Sequence, residues 1–337
     1  MSRDLGIDLG TANVLVYMSG KGIIIDEPSV VAMDTKNNKV MAVGNYAKEM
    51  IGRTPGNIVA TRPLKAGVIA NFKITEAMLK YFIKQSKPKF FFSSKPKVVI
   101  CIPSGVTQVE RRAVIEATVN AGAKENGTYL IEEPMAAAIG CKLPVEEPIG
   151  SMIVDIGGGT SEMAVISLGG IVTSNSLRIA GDVLNEHILN HVKKEFNIAI
   201  GERTAEQVKM NIASVYEPDE QKTMEARGRD LLTGLPKTIQ ISSVDVFNAI
   251  KEPIFGIIDA IKLTLEKTPP ELSSDVIETG ITLTGGGALI MGLDKLIEKE
   301  TGIAVNIAPE PLKSVVIGTS IVLENINELK NTLWTSY

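Results

Sequence analysis

One pattern occurs twice in this chain: an apolar strand that ends in aspartate, a turn that contains glycine, and an apolar strand that returns. The first copy, GIDLGTANVLVYM, begins at Gly6, and the second, IVDIGGGTSEMAVI, begins at Ile153. Self-similarity of this kind indicates a duplicated supersecondary unit. The two copies are expected to form facing hairpins across one cleft, with Asp8 and Asp155 at equivalent positions.

The length of the chain fits such a two-lobed arrangement. A single hydrophobic core rarely serves more than about 250–300 residues, so a chain of 337 residues predicts two lobes. We place the first lobe at residues 1–145 plus 310–337 and the second at residues 146–309. With 44% apolar and 22% charged residues, the composition is typical of a globular protein.

Charge and targeting signals narrow the class of protein. The 35 Lys and Arg against 39 Asp and Glu give a net charge of -4, which is too mild for a basic nucleic-acid-binding field, so no nucleic-acid partner is expected. No stretch approaches the roughly 20 apolar residues of a membrane span. The start, MSRDLGIDLG, lacks the apolar core of a signal peptide. We therefore expect a cytoplasmic protein.

Hydrophobic periodicity predicts an α/β fold. Five short β-rich runs near the start predict one antiparallel meander, at residues 5–9, 14–18, 22–25, 29–33 and 39–43. Strands then alternate with helices, as in a parallel sheet with crossovers, and the order begins again after residue 150. Two late helices are predicted at 288–301 and 312–329, the second folding back on the first lobe.

The two glycine turns suit a polyphosphate, because glycine lets backbone N–H groups approach phosphate oxygens without side-chain bulk. Their residues are Gly10, Thr11, Ala12 and Asn13 in the first turn, and Gly157, Gly158, Gly159 and Thr160 in the second. The P-loop pattern GxxxxGK[ST] is absent, which disfavours a Walker-type NTPase. An ordinary tight hairpin is the alternative interpretation of either turn taken alone.

Asp8 and Asp155 each end an apolar strand, where a carboxylate needs a cation or several donors. Magnesium bound through water would meet that need, and capping of the adjacent turn is the alternative. A third glycine element follows the strand at 281–284 and consists of Gly285, Gly286, Gly287 and Ala288.

Six motifs in order along the chain resemble the MreB family, a bacterial branch of the actin, Hsp70 and sugar-kinase superfamily. They are GIDLGTAN, IEEPMAAAIG, VDIGGGTSE, IGERTAE, TLEKTPPEL and LTGGGALI. The resemblance runs from about residue 3 to residue 324. It implies an actin-like ATPase fold with two duplicated lobes, and ATP or ADP with Mg2+ as ligands.

The resemblance also implies roles for particular residues. Glu133, directly before proline in the EEP motif, would position the water that attacks the γ-phosphate, and an acid at a helix N-terminus is the alternative interpretation. Glu206 and Lys209 would contact the adenosine, with the glycines of the third element approaching from the other side. Ser161 stands where the family commonly has threonine, and it keeps a catalytic hydroxyl. Val14 also replaces a common threonine, so a phosphate contact is expected to be missing.

The segment KPKFFFSSKPK places Phe90, Phe91 and Phe92 between lysines in a proline-bounded loop. Aromatic residues flanked by lysines suit an anionic membrane surface, and a buried edge strand or a protein contact is the alternative. The resemblance favours membrane binding through this loop, which predicts a peripheral location on the inner face of the cell membrane.

Assembly rests on the resemblance alone. It implies a homopolymer of paired antiparallel protofilaments that governs cell shape, with membrane proteins of the shape-determining or wall-synthesis machinery as further partners. A small-molecule kinase of the same superfamily is the main alternative, although no phosphoryl-acceptor motif is evident. An Hsp70-like chaperone and a structural protein with an inactive nucleotide site are weaker alternatives.

Overall fold

A computed structural model describes residues 4–86, 94–215 and 221–334 of the protein. The fold consists of two lobes, each built on a five-stranded mixed sheet flanked by helices. No helix in these ranges is both long enough and apolar enough to cross a bilayer.

The first lobe begins with the first copy of the repeat and alternates strands with helices. Its elements are β1 (Leu5–Leu9), β2 (Asn13–Met18), β3 (Gly22–Pro28), β4 (Val31–Asp34), β5 (Lys39–Val43), α1 (Asn45–Met50), β6 (Ile58–Thr61), β7 (Leu64–Lys65), β8 (Val68–Ile69), α2 (Phe72–Gln85), β9 (Val98–Ile102), α3 (Gln108–Asn120), β10 (Thr128–Glu132) and α4 (Glu133–Gly140).

The second lobe begins with the second copy, and the last helix, α10, returns to the first lobe. The elements are β11 (Ser151–Ile156), β12 (Ser161–Ser167), β13 (Gly170–Leu177), α5 (Gly181–Phe196), β14 (Ile198–Ala199), α6 (Glu202–Ile212), β15 (Thr223–Asp230), β16 (Pro236–Ser242), α7 (Ser243–Glu266), α8 (Pro270–Thr279), β17 (Ile281–Thr284), α9 (Leu293–Thr301), β18 (Val305–Ile307) and α10 (Ser314–Glu324).

The two main sheets have the same topology. In the first, the strand order is β10-β9-β1-β2-β3, and in the second it is β18-β17-β11-β12-β13. In each sheet the first three strands form an antiparallel meander, and the other two pair in parallel on the far side of the central strand. The duplication inferred from the sequence is therefore present in the fold.

The predicted five-stranded meander is wrong beyond its third strand. β4 and β5 pair with β6 in a separate three-stranded sheet, in the order β5-β4-β6. β3 ends at Pro28, and the segment that follows it forms its own small apolar cluster of Val30, Ala32 on β4 and Ala47 on α1. Because alternation along a strand does not reveal its neighbour, the sequence pattern did not separate the two sheets.

Both late helices are shorter than predicted. The start of the helix predicted at 288–301 overlaps a 3-10 turn at Gly286–Leu289. α9 starts only after Gly292, which adopts a left-handed conformation with φ of 77°. The helix predicted at 312–329 ends at Glu324. As expected, α10 packs on the first lobe, against α4 and β1.

The three large apolar clusters show how the lobes are joined. One lies within each lobe, and the third combines residues of both, including Ile131 and Ala137 from the first lobe and Ile153 and Ala164 from the second. Helices α4 and α10 also belong to this shared core. They approach so closely that a Cβ on Gly318 would overlap the backbone of α4. The shared core holds the lobes together at their base and leaves the two hairpin turns facing each other above it.

Candidate functional site

The two glycine turns are in contact. A Cβ added at Gly158 would lie 2.6 Å from the Cβ of Ala12, and one at Gly159 would overlap the side chain of Thr11. Only glycine leaves room for so close an approach. The structure thus brings together the two turns that the repeat predicted to face each other.

The first turn is held by two residues that the sequence did not single out. Ser29 donates its hydroxyl proton to the Gly10 carbonyl at 2.5 Å, and its backbone N–H donates to the Ala12 carbonyl at 2.9 Å. The N–H of Gly67, in the β7–β8 turn, donates to Thr11 Oγ1 at 2.9 Å. Ser29 and Gly67 fix the shape of the turn from two sides.

Four carboxylates lie at the floor of the cleft. Asp155 and Glu162 are buried, and Asp8 and Glu133 are partly buried. Desolvation raises the pKa of Asp8 to about 6, although the Cys101 thiol donates to its Oδ1 at 3.3 Å. Desolvation and the charges of Asp8 and Glu162 raise the pKa of Asp155 to about 8.

The pKa of Glu133 also rises well above its ordinary value. Desolvation is the main cause, followed by the charges of Glu162, Asp8 and Asp155. Glu133 is the first residue of α4 and is followed by Pro134, so it occupies the helix N-terminal position of the alternative interpretation.

This acidic cluster fits a cation. Across the described ranges, no ion pair joins any of the four carboxylates to a lysine or arginine. No three acidic, histidine or cysteine side chains in those ranges are arranged to ligate a metal directly. A hydrated magnesium ion, contacted through water, would offset the charge without needing direct ligands.

Ser161 and Val14, the two departures from the family pattern, lie just after their turns. Ser161 is fully buried and donates its hydroxyl proton to the Ile179 carbonyl at 2.6 Å. Val14 is fully buried in the core of the first lobe. The expectation that Val14 removes a phosphate contact is therefore not supported, because its side chain points into the core.

Glu206 and Lys209 lie on α6 but do not pair with each other. Glu206 forms an ion pair of 2.9 Å with Lys48 of the first lobe. Lys209 Nζ donates to the Gly181 carbonyl at 2.7 Å, and desolvation lowers its pKa to about 8. Because Gly181 N–H in turn donates to the Gly157 carbonyl, Lys209 lies directly behind the second glycine turn.

A second link between the lobes lies beside the first. Arg62, which precedes β7, forms ion pairs with Asp182 at 3.1 Å and with Glu202 at 3.0 Å. These pairs and the Lys48–Glu206 pair join the lobes beyond the glycine turns. Sequence reasoning missed them because their partners lie more than a hundred residues apart in the chain.

The third glycine element packs beneath the second turn. A Cβ on Gly285, which has φ of 79°, would overlap Asp155 Oδ1, and one on Gly287 would overlap Ile156. Gly286 opens the 3-10 turn, and Ala288 is buried within it. The element therefore supports Asp155 from below.

The predicted membrane residues Phe90, Phe91 and Phe92 lie outside the described residues.

A duplicated pair of sheets with two opposed glycine turns over an acidic cleft defines the actin-like class of fold. Sequence comparison places the chain within that class. The MreB/Mbl protein family model matches residues 2–331, and the chain belongs to this family.

Individual relatives agree with that assignment. The chain is 52% identical to the cell shape-determining protein Mbl of Bacillus cereus over 328 residues, which cover 97% of this chain and 98% of that protein. It is also 52% identical to the cell shape-determining protein MreB of Escherichia coli, over 97% of this chain and 94% of that one.

Solved structures support the same fold. MreB5 of Spiroplasma citri, solved with AMPPNP and with ADP, is similar to this chain; the AMPPNP structure is 38% identical, with a TM-score of 0.92 and 98% of both chains covered. The MamK double helical filament has a TM-score of 0.80 at 22% identity, covering 96% of this chain and 98% of that one, and shows likeness of fold alone. The small-molecule kinase alternative finds no support among these relatives.

Proposed function

We propose that the protein binds ATP between its lobes, hydrolyses it slowly, and polymerises into membrane-associated filaments that govern cell shape. The observation that carries this proposal is the contact between two glycine turns directly above an acidic cluster. The names of the relatives support a role in cell shape, and the nucleotide-bound structures of the Spiroplasma protein support an adenine nucleotide as the ligand.

The proposed phosphate site consists of backbone N–H groups from both turns, at 10–13 and 157–160. Asp8 and Asp155 would hold Mg2+ through water, and the ion would supply positive charge to the phosphate oxygens. Glu206 and Lys209 would face the adenosine from α6, with the 285–288 element on the opposite side. Lys209 suits a position near an anion, because its Nζ donates to the carbonyl of Gly181, whose N–H donates to Gly157 in the second turn.

Hydrolysis is assigned to Glu133. Its carboxyl lies on the first lobe, close enough to Asp155 and Glu162 of the second for their charges to raise its pKa. Its carboxylate form can orient an attacking water and accept the proton, and a cation bound in the cleft would favour that form by offsetting the neighbouring charges. Ser161 is assigned a supporting role, since its hydroxyl fixes the strand that follows the second turn.

Polymerisation and membrane binding complete the proposal. Family membership supports self-association, here proposed as paired antiparallel protofilaments. The proposal adds contact with anionic lipids on the inner membrane face through Phe90, Phe91 and Phe92, and recruitment of shape-determining or wall-synthesis proteins. The two lobes give a physical basis for control, because a nucleotide that binds one lobe arrangement more tightly shifts the population of the two.

Sedimentation and phosphate release test the proposal. Wild type should pellet with ATP, more so with anionic liposomes, and release phosphate. Glu133→Ala should retain ATP binding and lose hydrolysis by about a hundredfold or more. Glu132→Ala is the matched control, because this neighbouring glutamate faces Arg111 at 3.6 Å. Equal losses in both variants would contradict the role of Glu133.

Membrane contact is tested separately with a variant in which Phe90, Phe91 and Phe92 are all serine. It should lose liposome binding and keep phosphate release. Leu232→Ser is the control, since Leu232 is an exposed apolar side chain on the second lobe. Unchanged liposome binding in the triple variant would contradict the membrane assignment.

A further inference from the structure

Glu162 distinguishes the second copy of the repeat from the first. It pairs with Asp155 across β11 and β12, whereas the corresponding partner of Asp8 in the first copy is Leu15. Every residue of β12 is buried, and Glu162 is only 1% exposed. A carboxylate in such a strand costs free energy unless several donors satisfy it, so its partners indicate why it is there.

The carboxylate of Glu162 is hydrogen-bonded from both lobes. Oε2 accepts from the backbone N–H of Ser104 at 3.2 Å and also from the Ser104 hydroxyl. Oε1 accepts from the Ser176 hydroxyl at 2.6 Å. Ser104 follows β9 in the first lobe, and Ser176 lies on β13 in the second. One buried side chain therefore bridges the lobes at the cleft floor.

The Ser104 end of this bridge lies beside Glu133. Strands β9 and β10 pair in parallel, with Ile102 opposite Glu132, so Ser104 and Glu133 both follow the same end of the sheet. The Glu162 end lies two residues after Thr160, the last residue of the second turn. The bridge connects the strand that leaves one phosphate turn to the loop that neighbours Glu133.

We propose that Glu162 is a positioning residue, which holds the second glycine turn in register with Glu133 through its hydrogen bonds to Ser104. The inference rests on the proposed function, because it concerns the geometry of hydrolysis. Without the bridge, the backbone donors of the second turn still bind phosphate, but Glu133 on the other lobe loses its fixed position relative to them. The step affected is therefore hydrolysis and not nucleotide binding.

Two serines that donate to the same carboxylate provide a matched test. Ser104→Ala removes the hydroxyl bond from the other lobe, and Ser176→Ala removes one from the same lobe. A hydrogen bond to a charged group is worth enough to change kcat about tenfold. We expect Ser104→Ala to lower kcat for phosphate release by about that factor with KM and ATP affinity nearly unchanged, and Ser176→Ala to have a clearly smaller effect.

A double variant tests whether Ser104 acts through Glu162. Glu162→Leu removes both acceptor oxygens and should itself lower kcat, and adding Ser104→Ala to it should cause little further loss, since interacting residues are not additive. Equal effects of the two serine variants, fully additive losses with Glu162→Leu, or a loss confined to ATP affinity would overturn the proposal.

The proposed function and this inference fail in different ways. If wild type releases no phosphate, or if Glu133→Ala leaves release unchanged, the proposed function fails. If wild type is active and Glu133→Ala is not, but Ser104→Ala matches Ser176→Ala, only the role of Glu162 is refuted. Thermal unfolding of each variant, followed in the same buffer, shows that the proteins compared are folded.

Discussion

The two copies of the hairpin repeat share a backbone plan and differ in their side chains. Val14 is the first paired residue after the first turn and Ser161 is its counterpart in the second, so each turn has four residues, 10–13 and 157–160. Where the first turn carries Thr11 and Ala12, the second carries glycine, and those glycines accommodate the side chains of the first. The copies have become complementary rather than interchangeable.

The aspartates that precede the turns differ in the same way. Asp8 accepts a hydrogen bond from the Cys101 thiol, and its pKa rises only to about 6. Among the described residues no comparable donor offsets the burial of Asp155, and desolvation together with the charges of Asp8 and Glu162 raises its pKa to about 8. Carboxyl groups are thus concentrated on the second copy, where a cation would offset the charge that they carry when ionised.

The largest effect is expected where the turns touch. Gly158→Val would place side-chain atoms on Ala12, and we expect ATP affinity to fall by about a hundredfold, because the turns must separate to relieve the overlap. Binding of a fluorescent ATP analogue measures the change.

The control for this prediction adds a methyl group to the second turn and removes one from the first. Gly158→Ala alone should weaken binding, and combining it with Ala12→Gly should recover part of the loss, since the Ala12 methyl is what the new Cβ meets at 2.6 Å. If the double variant binds no better than Gly158→Ala, steric complementarity between the turns is not what limits binding.

The second effect concerns the two aspartates and pH, in protein freed of nucleotide and of metal by a chelator. A raised carboxyl pKa means that the folded state holds a proton more tightly than the unfolded state, so the free energy of unfolding falls as pH rises. For Asp8 this loss ends near pH 6 and for Asp155 near pH 8. Asp155→Asn should therefore have a higher free energy of unfolding than wild type at pH 8. Between pH 6 and 8 the free energy of unfolding should fall more in Asp8→Asn, which keeps Asp155, than in Asp155→Asn.

Chemical denaturation at several pH values measures this difference. The comparison uses the difference from wild type at each pH, so that contributions shared by the three proteins cancel. Parallel pH profiles for wild type and Asp155→Asn would show that Asp155 does not carry the raised pKa.

The sequence predicts those features of the two copies that depend only on residues close together in the chain. The strands, both turns and the aspartates follow from a short pattern that occurs twice, and the resemblance adds Glu133. The Glu162–Ser104 contact does not follow, because its partners lie on different lobes and 58 residues apart. The same holds for Lys48 and Glu206, which are 158 residues apart. Pairings between lobes depend on how the sheets are oriented, which no strand specifies alone.

A smaller effect is expected at the counterpart positions after the turns. Ser161→Val would remove the donor to the Ile179 carbonyl, and a buried unsatisfied carbonyl costs about 1–3 kcal/mol. We expect a loss of stability of that size in urea unfolding, together with slower phosphate release, because the strand that follows the second turn loses an anchor. Ser161→Thr is the control, since it keeps the hydroxyl and should stay close to wild type. Full activity in Ser161→Val would remove Ser161 from the catalytic set.

The smallest effect is expected at Val14, where the family pattern favours threonine. Leu9 and Val14 close the first turn as Ile156 and Ser161 close the second, yet Val14 is fully buried among the apolar residues of its lobe. A hydroxyl there would lie among apolar side chains, so Val14→Thr should lower the free energy of unfolding by about 1 kcal/mol and leave phosphate release unchanged. Faster release without a loss of stability would mean that position 14 reaches the bound phosphate, and that the two copies are more alike in function than their cores suggest.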